Sequence, residues 1–211
     1  MTTLPLTNKI VSWNANGLSS HLAELLFYID NIVDLPQFIC VQETWIYDDL
    51  LPDIPGYNSI HTFRVNKNGG GSAIYIKKNI DFISTEKILY SDIDLEVAGV
   101  KFKSNKEYIT LLSVYIAPNQ TVKIEHLNSL IISENLIIVG DLNAKNKLWG
   151  SPVNGFRGKT LEKFIDEQNL VVMNTGKATR LHYNGTLSHL DLTLCSRKLS
   201  FKIEFDVIND L

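Results

Sequence analysis

The chain has 211 residues, of which 45% are hydrophobic and 20% are charged, and its formal net charge is −3. This balance is ordinary for a globular protein, and it argues against a nucleic-acid binder that relies on general basicity. It does not exclude an enzyme whose carboxylates are neutralised by a divalent cation. No secretory signal and no apolar run of the roughly 18 residues that a membrane span requires is evident, so we expect an intracellular protein. Cys40 and Cys195 lie in apolar runs and are expected to be buried, reduced thiols.

The first part of the chain predicts two strands joined by a helix. Residues Lys9–Trp13 form an apolar strand that runs into Asn14-Ala15-Asn16-Gly17, a sequence typical of a turn. Gln37–Val41 is a short buried strand, and Ser72–Ile76 is another strand that follows a polar, glycine-rich loop over Arg64–Gly71. Between the first two strands, apolar residues recur at helical spacing until Pro36, namely Leu22, Leu25, Leu26, Ile29 and Val33.

The second part predicts a hairpin, two helices and several further strands. Polar turn residues separate the apolar runs Glu96–Phe102 and Tyr108–Tyr115, which is typical of a hairpin. Helical spacing predicts a helix over Val122–Glu134 and a short one around Leu161–Ile165. The remaining predicted strands are Leu170–Met173, Leu192–Leu194 and Phe201–Val207. Strands in hairpins and strands joined by helices predict an α/β or α+β sandwich, with a site built from loops at one rim.

A buried strand at the centre of this pattern ends in two polar residues. The sequence Ile137-Ile138-Val139-Gly140-Asp141-Leu142-Asn143-Ala144 begins with three β-branched residues, and Gly140 then allows a turn or a close approach. In extended backbone, Asp141 and Asn143 point to the same side. Such a pair can bind a metal, a water or a phosphate oxygen. The alternative is a simple Asx turn.

Other strands of the prediction also end in polar side chains. Glu43 follows a buried strand, and burying an unpaired carboxylate is costly, so it must be paired, solvated or bound to a cation. Asn14 and Asn16 repeat the spacing of Asp141 and Asn143. The set of polar residues at corresponding strand ends is Asn14, Glu43, Tyr115, Asp141, Asn143 and Asp191. Each of these residues taken alone could be an ordinary turn or solvated residue, but together they predict a functional site.

A basic loop follows this central strand. It carries Lys145, Asn146, Lys147, Trp149, Arg157 and Lys159. Basic side chains interleaved with an exposed aromatic residue suit nucleic-acid contact, although a solvated loop is the other interpretation.

These stretches resemble the endonuclease/exonuclease/phosphatase superfamily, which includes apurinic/apyrimidinic endonucleases and pancreatic deoxyribonuclease. The matching stretches run in family order over nearly the whole chain. They are Ser12–Leu18, Gln42-Glu43-Thr44, Gly70–Ala73, Ser113–Asn119, Gly140–Ala144 and Ser188–Leu194.

Within the superfamily, the chain looks most like the endonuclease domain of jockey-like non-LTR retrotransposons. The cues are Asp141–Ala144 followed by Trp149-Gly150, then Asn169-Leu170 to Asn174, and Ser188–Leu194. The resemblance implies a domain that precedes a reverse transcriptase and nicks double-stranded genomic DNA. The nick leaves a 3′ hydroxyl that primes reverse transcription, which implies action in the nucleus after synthesis in the cytoplasm.

The resemblance also implies a fold and a set of catalytic roles. The fold would be a four-layer sandwich of two mixed β-sheets flanked by helices. Glu43, with Asn14 nearby, would hold Mg²⁺, with Mn²⁺ as an alternative ion. Asp141 would orient or deprotonate the attacking water, and Asn143 and Tyr115 would bind phosphate oxygens. Asp191 would belong to the same polar cluster.

A second set of residues is expected to contact DNA. The resemblance implies that Asn119 touches the DNA backbone, and a basic residue stands in several members where this chain has His189. The full expected set is Asn16, Asn119, Lys145, Asn146, Lys147, Ser188 and His189.

The chain departs from the family pattern at its end. Members end in Ser-Asp-His, and this chain stops at Asn209-Asp210-Leu211 without that histidine. We therefore expect residues 1–211 to be one endonuclease domain that is truncated before the motif and impaired in catalysis. Two alternatives to a DNA endonuclease stay open, a phosphatase of the same superfamily and an inactive DNA-binding relic.

Overall fold

Two mixed β-sheets, packed face to face, lie at the centre of the protein. The structure is a computed structural model, and it describes residues 8–47, 50–62, 69–85, 88–90, 95–182 and 184–208. Most of the predicted polar loop over Arg64–Gly71 and the last three residues of the chain lie outside these ranges. The strands are β1 (Ile10–Asn14), β2 (Phe38–Gln42), β3 (Tyr57–Thr62), β4 (Ser72–Lys77), β5 (Phe82–Ser84), β6 (Ile88–Tyr90), β7 (Leu95–Ser104), β8 (Glu107–Ile116), β9 (Leu136–Asp141), β10 (Leu170–Val172), β11 (Arg180–Leu181), β12 (Leu187–Ser188) and β13 (Asp191–Ser196).

The first sheet has the order β1-β2-β4-β3, and the second has the order β10-β13-β9-β8-β7-β5, with β6 also paired to β7. The pairs β1/β2 and β8/β9 are parallel, and the other pairs in these two sheets are antiparallel. Strands β11 and β12 form a separate small hairpin.

Helices cover the outer face of each sheet. The outer helices are α1 (Leu18–Asn31), α2 (Ile124–Asn128) and α3 (Phe156–Glu167), with a 3₁₀ turn over Lys147–Trp149. The short helix α4 (Arg197–Ser200) instead contributes Leu199 to the core between the sheets. Leu25 and Ile29 of α1 pack on the first sheet, whereas Leu161 and Phe164 of α3 pack on the second. The protein is therefore the four-layer α/β sandwich of the pancreatic-deoxyribonuclease type that the resemblance implied.

Strand alternation explains how the layers hold together. Along β2, Phe38 and Cys40 face the second sheet, whereas Ile39 and Val41 face α1. The ring of Phe38 packs on Phe102 with a centroid distance of 4.3 Å. Cys40 and Cys195 both lie buried and free in this inter-sheet core, as expected.

The strand directions bring the predicted polar strand ends to one rim. β1 and β2 are parallel, so Asn14 and the residue after Gln42 leave the first sheet together. β8 and β9 are parallel and end at the same edge of the second sheet, where antiparallel β13 begins with Asp191 opposite Asp141. Sequence-distant polar residues therefore meet there.

The structure corrects three predicted elements and adds strands that were not predicted. Helix α1 ends at Asn31, and Val33 beyond it is 96% exposed, so this residue is not part of the apolar helix face. The predicted helix over Val122–Glu134 is helical only in α2, because single turns replace it: Leu130 N donates to Leu127 O and Ile131 N to Asn128 O. The predicted strand Phe201–Val207 is not a strand, and the prediction missed β3, which pairs with β4.

Among the described residues, none of the helices has both the length and the apolar character needed to cross a membrane.

Candidate active site

Asn14 joins two carboxylates across the two sheets. Its Nδ2 donates to Oε1 of Glu43 at 2.8 Å and to Oδ2 of Asp141 at 2.8 Å. Its Oδ1 accepts from the backbone N–H of Asn16 at 3.0 Å, which fixes the orientation of the amide. Asn14 therefore holds Glu43 of the first sheet and Asp141 of the second in one network.

Left-handed backbone directs these side chains into the rim. Asn16, Glu43 and Asn143 have φ values of 47°, 52° and 46°. Asparagine tolerates this region, but for glutamate it is uncommon and marks a constrained position. In addition, Asp141 Oδ1 accepts from the backbone N–H of Asn143 at 2.9 Å, so the Asx turn considered as an alternative is present as part of the site.

Gly140 permits a close approach between the strands that carry the site. A Cβ at this position would lie 2.0 Å from Val114 O, and Gly140 has a φ of 140°. Only glycine fits both constraints. The chain thus brings the end of β9 directly against β8, which carries Tyr115.

Two acidic side chains oppose each other at this rim. Burial, and then the charge of Asp191, raise the pKa of Asp141 to about 7, while hydrogen bonds from Asn143 and Asn14 act in the opposite direction. Burial likewise raises the pKa of Asp191, although Thr179 donates to its Oδ2 at 2.7 Å. A carboxyl that titrates near neutral pH is suited to accept a proton from water.

The phosphate-binding candidates lie beside Asp141. Tyr115 is 4% exposed and lies at the end of β8, opposite the buried Glu96 on β7. Asn143 donates its Nδ2 to Ile116 O at 3.1 Å. Asn119 is exposed on the next loop, and with Asn143 it lines a cleft of about 500 Å³. The expected polar residues are therefore neighbours in space.

Comparisons with known proteins show which sequences this chain is similar to. The family described as endonuclease-reverse transcriptase matches residues 109–210. The RNA-directed DNA polymerase from the mobile element jockey of Drosophila melanogaster is 31% identical over 186 residues, which are 86% of this chain and 20% of that protein. The chain is similar to members of the endonuclease/exonuclease/phosphatase superfamily.

Solved structures agree with the superfamily fold. The endonuclease domain of TRAS1, a telomere-specific non-LTR retrotransposon, superposes with a TM-score of 0.74 at 20% identity, covering 91% of this chain and 86% of that one. The AP endonuclease LMAP from Leishmania major superposes with a TM-score of 0.71 at 18% identity, covering 95% and 85%. The chain spans about a fifth of the length of the curated relatives it matches.

Members of this superfamily generally depend on a divalent metal ion, and the part of the site that carries Glu43 suits one such ion. Glu43 is partly buried, and each of its oxygens keeps acceptor capacity beyond its one hydrogen bond. Within the described ranges, no group of three or more His, Cys, Asp or Glu side chains is arranged to hold a metal. One carboxylate fits Mg²⁺, which keeps several waters. Asn14 presents its amino group, not its oxygen, to Glu43.

The basic loop after β9 differs from the expectation in which of its side chains are exposed. Lys145 and Lys147 are exposed, but Trp149 is fully buried, and its Nε1 donates to Ala144 O at 2.9 Å. Asn146 is 2% exposed and donates to Glu162 and to Gly158 O. The expectation of an exposed aromatic residue in this loop is therefore wrong. The side chains of Trp149 and Asn146 both point into the protein, where they make hydrogen bonds within the fold.

Arg157 was expected in the basic loop as a DNA-facing cation, but it binds backbone carbonyls. Nη1 donates to Asn143 O at 2.9 Å, and Nη2 donates to Ala117 O at 2.8 Å. Further acceptors of the guanidinium are Leu142 O, Pro118 O and Gln120 O. Arg157, in the first turn of α3, therefore ties the loop after β9 to the loop after β8.

His189 and Ser188 lie at the edge of the site near the β11–β12 hairpin. His189 Nε2 lies 3.1 Å from Gly176 O, and the Ser188 hydroxyl lies 3.2 Å from His182 Nε2. His189 precedes β13 and does not share that strand with Asp191. Thr179, whose hydroxyl donates to Asp191, was not predicted to belong to the site, because a lone threonine in a loop gives no signal.

Proposed function

We propose that this domain is an endonuclease that nicks double-stranded DNA in the presence of Mg²⁺ and leaves a 3′ hydroxyl. The observation that carries the proposal is the bridge from Glu43 through Asn14 to Asp141. It combines a candidate metal carboxylate with a carboxyl whose pKa is near 7. Asp141 accepts from the backbone of Asn143, which lines the cleft together with the exposed Lys145.

Glu43 would hold the ion, and Asn14 would keep the carboxylate of Glu43 close to Asp141. A bound Mg²⁺ would supply neutralisation of the charge that builds on the scissile phosphate and its leaving oxygen. Mn²⁺ accepts the same oxygen ligands and is the expected substitute.

Asp141 would take a proton from the attacking water. The water oxygen bonds to phosphorus, the bond from phosphorus to O3′ breaks, and the departing oxygen takes up a proton to become the 3′ hydroxyl. Asn143 and Tyr115 would donate hydrogen bonds to phosphate oxygens, where positioned donors typically contribute about 10²–10³ in rate. Asp191 would act through its charge on Asp141.

DNA would approach along the rim that carries Asn16, Asn119, Lys145 and Lys147, all of which are exposed. Ser188 and His189 border the same rim from the hairpin side. With a net charge of −3, binding must depend on such local cations and must weaken steeply with salt.

The wider context is part of the proposal. The relatives are RNA-directed DNA polymerases, and this chain matches about a fifth of their length. That proportion supports a domain fused to a reverse transcriptase, which would use the 3′ hydroxyl as a primer. Its target would be genomic DNA, so we place its action in the nucleus.

A plasmid assay tests the proposal. Excess protein is incubated with supercoiled plasmid in Mg²⁺, in Mn²⁺ and in EDTA, and conversion to open circles is followed under single-turnover conditions. We expect nicking only with the metals and a loss of about 10²-fold or more in Glu43→Gln. A DNA polymerase should extend the nicked circles without prior end treatment, because the nick carries a 3′ hydroxyl.

The exposed Glu167 provides a matched Glu→Gln control, because it pairs with Lys163 on the surface of α3. Glu167→Gln should nick as the unmodified chain does. DNA binding without nicking would favour an inactive binding module, and phosphate release from small phosphomonoesters without nicking would favour a phosphatase. Either result would overturn the proposal.

A further inference from the structure

Trp45 lies two residues after Glu43 and has the same unusual backbone. Its φ is 54°, against 52° for Glu43. For an aromatic residue this conformation is strained and persists only where surrounding contacts enforce it. The loop after β2 therefore holds Trp45 in a defined place beside the candidate metal carboxylate.

The indole of Trp45 binds the carboxylate directly. Nε1 donates to Oε2 of Glu43 at 3.3 Å. The other oxygen, Oε1, accepts from Asn14 at 2.8 Å. Each oxygen of Glu43 thus has its own donor, one at the end of β1 and the other in the loop after β2, so the carboxylate cannot rotate without breaking one of these hydrogen bonds.

Glycines form the surface on which this indole rests. A Cβ at Gly17 would lie 2.9 Å from Cε3 of Trp45, and a Cβ at Gly69 would lie 3.6 Å from its Nε1. Side chains larger than glycine at position 17 would displace the ring. Gly17, with a φ of 102°, is also the N-cap residue of α1.

Backbone hydrogen bonds fix the same loop from two sides. Gly17 N donates to Glu43 O at 2.8 Å, and Leu18 N donates to Thr44 O at 3.1 Å. On the opposite side, Trp45 N donates to Gly70 O at 2.8 Å. The main chain of Glu43 is held by these bonds, which leaves the orientation of its carboxylate to Asn14 and Trp45.

We propose that Trp45 is a positioning residue that orients the Glu43 carboxylate for the metal. The proposal rests on the proposed function, because it assumes that Glu43 holds a divalent cation. Groups that hydrogen-bond to metal-ligating carboxylates typically change metal affinity by about 10–100-fold when they are removed. Trp45 is 39% exposed, so its burial alone does not explain its strained backbone.

The test measures Mn²⁺ binding directly, by the loss of the free-ion signal in electron paramagnetic resonance. Trp45→Phe keeps the ring on Gly17 but removes the N–H donor. We expect it to weaken Mn²⁺ binding about tenfold and to raise the Mg²⁺ concentration for half-maximal nicking by a similar factor. Trp13→Phe is the matched control, because Trp13 packs against the α1 side of the first sheet. It should bind Mn²⁺ as the unmodified chain does.

A second variant reaches the same contact without altering Trp45. Gly17→Ala places a methyl group against the indole and should weaken Mn²⁺ binding in the same direction. Loss of binding in Glu43→Gln but not in Trp45→Phe would overturn the role of Trp45 and leave the proposed function intact. Unchanged Mn²⁺ binding in both would overturn the metal site and the role of Trp45 together.

Discussion

Asp141 and Asp191 lie directly opposite each other on the paired antiparallel strands β9 and β13. Like charges at opposed positions of a sheet destabilise it. Here the pKa of each carboxyl is raised, chiefly because both are buried. The fold tolerates the destabilisation from these two buried carboxyls at the rim, where Asn14 and Asn143 donate hydrogen bonds to Asp141.

The first prediction concerns the pH dependence of stability. The folded chain binds a proton at Asp141 more tightly than the unfolded chain, since the pKa rises from 3.8 to about 7. This contribution to stability is therefore present below pH 4 and is lost as the pH rises through 7. Asp141→Asn cannot titrate. From pH 4 to pH 8, the difference in unfolding free energy should shift in favour of the variant by on the order of 2–4 kcal/mol.

Urea unfolding in EDTA at several pH values measures this difference. Asp141→Asn also keeps only one acceptor oxygen for its two donors, Asn14 and Asn143, and the loss of one hydrogen bond costs about 1 kcal/mol at every pH and leaves the pH trend unchanged. The exposed Asp81 provides the control, and Asp81→Asn should show no such trend relative to the unmodified chain. A flat difference for Asp141→Asn would contradict the electrostatic account of this site.

The second prediction is that Gly140 cannot be replaced by alanine. The new Cβ would meet Val114 O at 2.0 Å, and backbone on both sides cannot move without opening β8 from β9. We expect Gly140→Ala to lose more than about 3 kcal/mol of stability or to fail to fold. Gly56→Ala is the control, since Gly56 has a φ of 86° but no atom within 4 Å of its Cβ position. Thermal unfolding of the two variants separates the effect of the steric clash from that of backbone strain. Equal losses of stability in Gly140→Ala and Gly56→Ala would contradict the clash with Val114 O.

The sequence was sufficient to predict that polar residues at several strand ends meet at one rim of the sandwich. Local pattern places Asn14, Glu43 and Asp141 at strand ends, and two parallel pairs of strands then bring those ends together. Side-chain period and β-branched runs are local properties, so the strands that carry these residues were predictable. The bridge made by Asn14 was not, because it joins residues 127 positions apart.

Periodic patterns in the sequence do not predict whether a loop side chain is buried, nor where a helix ends. Trp149 and Arg157 look like solvent-facing residues in a polar loop, but tertiary packing buries the first and engages the second with backbone carbonyls. The helix predicted over Val122–Glu134 failed for a similar reason. Leu127 and Leu130 are both buried, but a turn after α2 satisfies that burial without a longer helix.

The third prediction is that Arg157→Lys impairs catalysis more than stability. A lysine ammonium has three N–H donors at a single point, so it cannot replace all five carbonyl contacts that the planar guanidinium makes to the two loops. The loops that carry Asn143 and Asn119 would then shift relative to each other. We expect kcat to fall about 10²-fold, as displacements near 1 Å can cause.

Nicking kinetics and thermal unfolding are measured together for this variant. Arg197→Lys is the matched control, because Arg197 is exposed and donates through Nε to Asn169, away from the rim. It should leave kcat unchanged. If Arg157→Lys lost stability in proportion to activity, Arg157 would be a structural residue only.

The last prediction concerns how DNA binds a protein of negative net charge. Lys145 and Lys147 are exposed beside Asn143 at the rim, so their positive charge lies where we place the phosphate backbone. Glutamate at both positions should weaken binding to every DNA sequence alike and reduce the dependence of log Kd on log salt by about 1–2, one for each lost phosphate contact. Fluorescence anisotropy with a labelled duplex at several salt concentrations measures both quantities.

The hairpin between β7 and β8 provides a control with the same change in net charge. Lys103 and Lys106 are exposed there, at the end of β8 that lies away from Tyr115. Glutamate at both of these positions changes the overall charge equally, so any difference between the two double variants reports location alone. Equal weakening would mean that DNA responds only to net charge, and no weakening in the Lys145 and Lys147 variant would place the DNA on another surface.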